Sequence, residues 1–158
     1  MTDKNVSIMN IGSMGYLPQV FKKIENEKKL NIVYLGGSIT MGCNATKTEL
    51  RYVDRSAKWW QTNFPDAEIS YFNAGIGATT SQFGVARVQE HVLDKQPDLV
   101  FVEFSVNDSS SLLFMETYES LVRRLLKAES VKAVVLINNL FYDTGTNAQG
   151  IHNAIGLH

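Results

Sequence analysis

Three short stretches of this chain hold the residue types that could act on a ligand. "GGSIT" (Gly36–Thr40) closes an apolar run with two glycines and a serine. "NAGIGATTS" (Asn73–Ser81) carries two glycines and three hydroxyl residues, and "SVND" (Ser105–Asp108) offers an asparagine amide. Glycines let the backbone turn sharply, so Ser38 could stand exposed at the end of a strand, as a nucleophile must. The same serine also reads as a helix N-cap. The second loop leaves backbone N–H groups free to meet a ligand, or is simply a turn and cap for the helix after it. Asn107 is a side-chain donor, while Asp108, followed by three serines, reads as a helix cap. A hydroxyl, a main-chain N–H and a carboxamide around one point would hold the negative charge that develops on a carbonyl oxygen during acyl transfer. Losing one such donor typically slows the reaction ~100–1,000-fold.

For these loops to meet, the elements between them must alternate. Leu17, Val20 and Ile24 recur at helical spacing with Pro18 in the first turn, and a strand follows at Leu30–Leu35. Leu50, Val53, Ala57, Trp60 and Phe64 make one apolar helical stripe that Pro65 ends. A strand at Ile69–Asn73 leads into the second loop. Val85, Val88 and Val92 mark a helix stopped near Pro97, and Asp98–Phe104 is a third strand, apolar almost throughout as a doubly covered strand is. Phe114, Tyr118, Leu121 and Leu125 trace another helix, Ala133–Leu140 a fourth strand, and Ala148, Ile151 and Ile155 a last helix. Strands alternating with helices predict right-handed crossovers and a mostly parallel sheet covered on both faces, with ligands bound beyond the carboxyl ends of the strands.

Composition narrows the choices further. The 158 residues suit one domain, 44% are hydrophobic, and the formal net charge is -1. No Lys/Arg cluster marks a nucleic-acid surface, and no apolar stretch approaches the ~20 residues that cross a bilayer. No secretory leader is visible at the start, which leaves the compartment open. The single cysteine, Cys43, excludes an internal disulfide and reads as a small buried residue. The three histidines, His91, His152 and His158, lack metal-binding spacing, so a catalytic zinc is not expected, and no organic cofactor is implied. Trp60 belongs to the core; Trp59 and Tyr52 are expected at its margin. Arg87 is expected to pair with a carboxylate.

The three blocks, in this order and each after a strand, resemble the SGNH/GDSL hydrolase (esterase/lipase) family across most of the chain. The resemblance implies a three-layer α/β/α, flavodoxin-like fold with Ser38 as nucleophile and oxyanion N–H. It puts the second oxyanion N–H at Ala78, where the family usually has glycine, with Gly77 one register away. It makes Asn107 the side-chain oxyanion donor, with Ser105 in place of a usual glycine. "PDLVFVEFSVND" and "NAGIGATTS" look most like bacterial members acting on carbohydrate esters. The implied substrate is a small-molecule or glycan acyl ester, cleaved through a Ser38 acyl-enzyme, with no nucleic-acid or membrane partner.

The family's fourth block, Asp-x-x-His, is absent: Val88, Gln149 and Ile155 stand three positions before the histidines. In the triad His activates the serine and Asp orients the His. The expectation is therefore one domain over 1–158, with an N-terminal segment and helix over 1–29 and the N-terminal part of a catalytic core over 30–158. Its C-terminal strand and base are missing, it is a very poor esterase alone, and its uncovered sheet edge invites self-association. Two other readings stand beside this one. A catalytically inactive relative would hold a glycan without cleaving it. A nucleotide-binding domain would use "GIGATT" (Gly75–Thr80), although threonine replaces the third fingerprint glycine and no Walker lysine follows "GGSIT".

Overall fold

The computed structural model describes residues 8–140 and 147–157. Helix α1 (Leu17–Glu27) turns its periodic Val20 and Ile24 inward and ends on a left-handed Lys28, after which β1 (Lys29–Gly36) begins. One helical turn, α2 (Ser38–Met41), follows directly. Then come α3 (Tyr52–Asn63), β2 (Glu68–Gly75), α4 (Ser81–His91), β3 (Leu99–Glu103), α5 (Leu112–Leu126), β4 (Ala133–Ile137) and α6 (Gln149–Gly156).

The strands form one sheet in the order β2-β1-β3-β4, and every pairing is parallel. The order reverses between β1 and β3, so the chain leaves those two strands in opposite directions and opens a crevice beyond their carboxyl ends. Register makes those ends level: Gly36 pairs with Gly75 on one side and Glu103 on the other. The three candidate loops therefore start from one line across the sheet.

Alternation along β1 divides the core. Leu30, Ile32 and Tyr34 face Val20 and Ile24 of α1 and Val53 and Trp60 of α3. Val33 and Leu35 face Val88 of α4 and Leu121 and Leu125 of α5, with Ile155 of α6 packed alongside. Burying each such side chain is worth roughly 1.5–3 kcal/mol, which makes the two-sided sheet the main source of rigidity beneath the loops. Tyr34 stacks on Phe101 at 4.8 Å and donates to Ser56 Oγ, and burial pushes its phenol up to about 12.

Several expected boundaries shift. Leu50 is half exposed on a short 3-10 turn (Thr48–Leu50), and Phe64 caps α3 from beyond its end. Helix α4 stops at His91, and a second 3-10 turn (Leu93–Lys95) covers the distance to Pro97. Strand β4 ends at Ile137, three residues early, where the Asn139 N–H turns away to the Ser105 hydroxyl (2.7 Å). A side-chain acceptor there competes with the ladder and wins. Among the described residues, β4 has β3 as its one neighbour, and no helix is long and apolar enough to cross a membrane.

Candidate functional site

Ser38 is half-buried at the first position of α2, and Gly37 occupies the cap. The serine is thus inside the turn and makes no side-chain cap bond, so its hydroxyl is not consumed by the role expected of a capping serine. A Cβ on Gly37 would stand 2.4 Å from Asn107 Oδ1 and 3.3 Å from the Thr79 carbonyl oxygen. The loops after β1, β2 and β3 therefore meet at the peptide just before Ser38, and only glycine permits that approach.

Asn107 is half-buried, held in a tight turn by its N–H to the Phe104 carbonyl (3.0 Å). Its Oδ1 is sealed with no partner among the described residues. Ala78 is exposed and left-handed, at φ 56°. Alanine can adopt this conformation, at about 1–2 kcal/mol relative to the right-handed one. The N–H groups of Ser38, Gly77 and Ala78 donate to no described residue. The sheet thus brings Ser38, the 77–79 turn and Asn107 to one rim, with main-chain donors to spare.

The glycines of the second loop have a packing reason. A Cβ on Gly75 would fall 2.2 Å from Met41 N, so β2 ends where α2 presses on it, and Gly77 lies against the Met41 side chain. Asn73 reinforces the contact by donating to the Thr40 carbonyl (2.8 Å) while its Oδ1 accepts from Gly75 N–H (2.9 Å). The loop that resembles a dinucleotide fingerprint is filled by the chain's own helix.

Asp108 does cap a helix, but not the one that follows it. Its Oδ1 accepts from the Ser81 N–H at the start of α4 (2.9 Å), 27 positions back. Its Oδ2 lies 3.1 Å from His152 Nε2 on α6. His152 is wholly buried, its ring stacked 3.6 Å from that of Tyr118, whose phenol burial pushes upward. His152 makes no hydrogen bond to Ser38. His91 is half-buried on α4 beside Arg87, and His158 lies outside the described residues.

Two expectations need correction. Cys43 is exposed, because the turn after α2 carries it out of the core. Arg87 is buried but meets no carboxylate among the described residues: it donates to the carbonyls of Ala74 (2.7 Å) and Gly36 (3.1 Å), and burial lowers its pKa. Trp60 is core and Trp59 half exposed, as expected, while Tyr52 meets the Thr40 hydroxyl at 2.8 Å. Sequence reasoning missed the inward role of His152, although the 148–152–155 spacing carried it. It also missed Ser105, whose hydroxyl donates to the Asn139 carbonyl (3.0 Å) and accepts from the Asn139 N–H, tying β3 to the end of β4.

A parallel sheet between helices, with a serine, a tight turn and an asparagine gathered over its switch point, defines an α/β fold of the SGNH hydrolase kind. Residues 34–154 match the GDSL-like lipase/acylhydrolase family model, and the chain belongs to that family. Among solved structures it is similar to a two-domain esterase (CEX) active on acetylated mannans, at 49% identity and a TM-score of 0.89. The match covers 92% of this chain and 39% of that one, so this chain spans well under half of the relative's length. A catalytic mutant of Axe2, an acetylxylan esterase from Geobacillus stearothermophilus, shares the fold at 23% identity and a TM-score of 0.60, over 80% of this chain and 66% of that one. No curated protein matches.

Proposed function

We propose that this chain carries the nucleophile and the oxyanion donors of a carbohydrate O-acetyl esterase. Ser38 Oγ attacks the ester carbonyl, the alcohol leaves, and water later releases the acyl group from the serine. The N–H groups of Ser38 and Ala78, with the Asn107 amide, hold the tetrahedral oxyanion. The observation that carries this reading is the meeting of Gly37, Thr79 and Asn107 beside Ser38. The sugar-ester substrate rests on the 49%-identical relative active on acetylated mannans, which has also been crystallised with mannopentaose.

On this reading, no histidine among the described residues is placed as the base. His152 is held against Asp108 and Tyr118, and His91 packs on Arg87, and neither hydrogen-bonds the serine. A general base supplies typically ~100–10,000-fold, and the chain alone should therefore turn over very slowly. An external base makes the first half-reaction visible. With p-nitrophenyl acetate and added imidazole, intact mass and peptide mapping should show one acetyl group on Ser38, absent in Ser38→Ala. Acetylation confined to lysines, or unchanged by the substitution, would sink the esterase reading and favour a relative that holds glycan without cleaving it.

A further inference from the structure

Arg87 is a buried charge near the site whose chemistry the reading above does not use. It sits on α4, only 6% exposed, and no Asp or Glu among the described residues lies within ion-pair distance. A buried charge without a counter-charge is costly, and the group tends to be kept only where its particular geometry matters. Here the geometry is a fork. Nη1 donates to the carbonyl of Ala74 and Nη2 to that of Gly36, the last residues but one and but none of two adjacent strands. Nη1 also approaches His91 Nδ1 at 3.3 Å, the guanidinium lies 5.8 Å from the Phe83 ring, and Nε is sealed without a partner among the described residues.

Both carbonyls stand just upstream of a donor loop. Gly36 is two residues before Ser38, and Ala74 is four before Ala78. The β1–β2 ladder runs out at Gly36 and Gly75, and one further backbone bond, from Ile76 N–H to the same Gly36 carbonyl (3.1 Å), leads into the second loop, so that carbonyl is shared by Ile76 and Arg87. A planar, always-charged guanidinium with two parallel donors can bridge those ends at a set distance, which a flexible ammonium cannot do.

We infer that Arg87 is a positioning residue: its buried guanidinium, bridging the Gly36 and Ala74 carbonyls, sets the spacing between the Ser38 and Ala78 N–H groups. The inference rests on the oxyanion reading of those groups. Misplacement of a preorganised group by about an ångström costs ~100-fold in comparable sites, so the loss of the fork should be read at the anion itself and not merely in stability.

The test uses phenylboronic acid on the full chain, followed by boron NMR well below the melting temperature. Boron bonds to Ser38 Oγ, the hydroxyl proton passes to solvent, and the product is a tetrahedral anion in the oxyanion position. The wild-type chain should form this adduct and Ser38→Ala should not. Arg87→Ala, folded by circular dichroism, should bind about 10-fold or more weakly, and added methylguanidinium should restore the affinity. Unchanged affinity with a lowered melting temperature would make Arg87 merely structural and overturn the inference, as would a loss that methylguanidinium leaves unrepaired. Should Arg87→Ala not fold, Arg87→Lys takes its place: a similar loss supports the fork, and wild-type affinity overturns it. If neither variant folds, Arg87 serves stability and the inference falls. Absence of a Ser38-dependent adduct in the wild type removes the oxyanion reading and the inference together, whereas an adduct indifferent to Arg87 removes the inference alone.

Discussion

Glu103 and Asn107 show how differently two polar residues of one block are used. Asn107 reaches the rim; Glu103, at the end of β3, is wholly buried, with Oε1 3.3 Å from the Ser105 hydroxyl and Oε2 without a partner among the described residues. Burial raises the Glu103 pKa above the ordinary value of 4.5. The folded state therefore holds a proton that the unfolded chain has already released. The stability associated with that proton is complete below the unfolded value and declines as pH rises toward the folded one. Glu103→Gln removes this dependence. Urea melts from about pH 4 to about pH 7 should show the variant gaining on the wild type as pH rises, because only the wild type has to ionise a sealed carboxyl. A difference that stays flat with pH would show that Glu103 is not the group responsible.

At the scale of elements, Asp108 joins the start of α4 to α6 through two oxygens of one carboxylate. Asp108→Ala deletes a helix cap, worth about 0.5–2 kcal/mol, and leaves His152 Nε2 buried and unpaired, for about 1–3 kcal/mol more. Asp108→Asn, which retains an acceptor for the Ser81 N–H, should lose less. Equilibrium urea unfolding checks both the size and the order; equal losses would mean that the Ser81 bond contributes little. This carboxylate also marks where the sequence stops being legible. Helices and strands were readable because their apolar period is local: Val20 and Ile24, Val53, Ala57 and Trp60, and the unbroken β3 all face the way their spacing says. That Asp108 caps something was also local knowledge, since Asp favours caps. Which helix it caps depends on a partner 27 residues away, and no spacing rule reaches that far. Arg87 failed for the same reason: a charged side chain suggests a charged partner, yet its actual partners are two carbonyls that only the sheet register brings together. The candidate site was readable as three blocks because each follows directly from a strand end.

For the whole molecule, the sheet has two edges, and β4 is the better placed to recruit a partner. Its residues are half-buried beyond Ala133, and its outer backbone groups have no strand beside them among the described residues. Parallel strands covered on both faces are apolar, and an apolar open edge is a template for another chain. We propose that the isolated chain self-associates along β4. Sedimentation should show mass rising with concentration. A single monomeric species over the whole concentration range would count against the edge.

The contact between Gly37 and Asn107 has one more consequence. Because a methyl group cannot be added at position 37 without displacing the carboxamide, the most ordinary of substitutions, glycine to alanine, acts as a switch for chemistry while leaving the hydroxyl of Ser38 in place. On the esterase reading proposed above, a descendant with that substitution would lose the oxyanion geometry and retain every polar group of the site. Reading such a descendant by its serine and asparagine alone would mistake it for an enzyme.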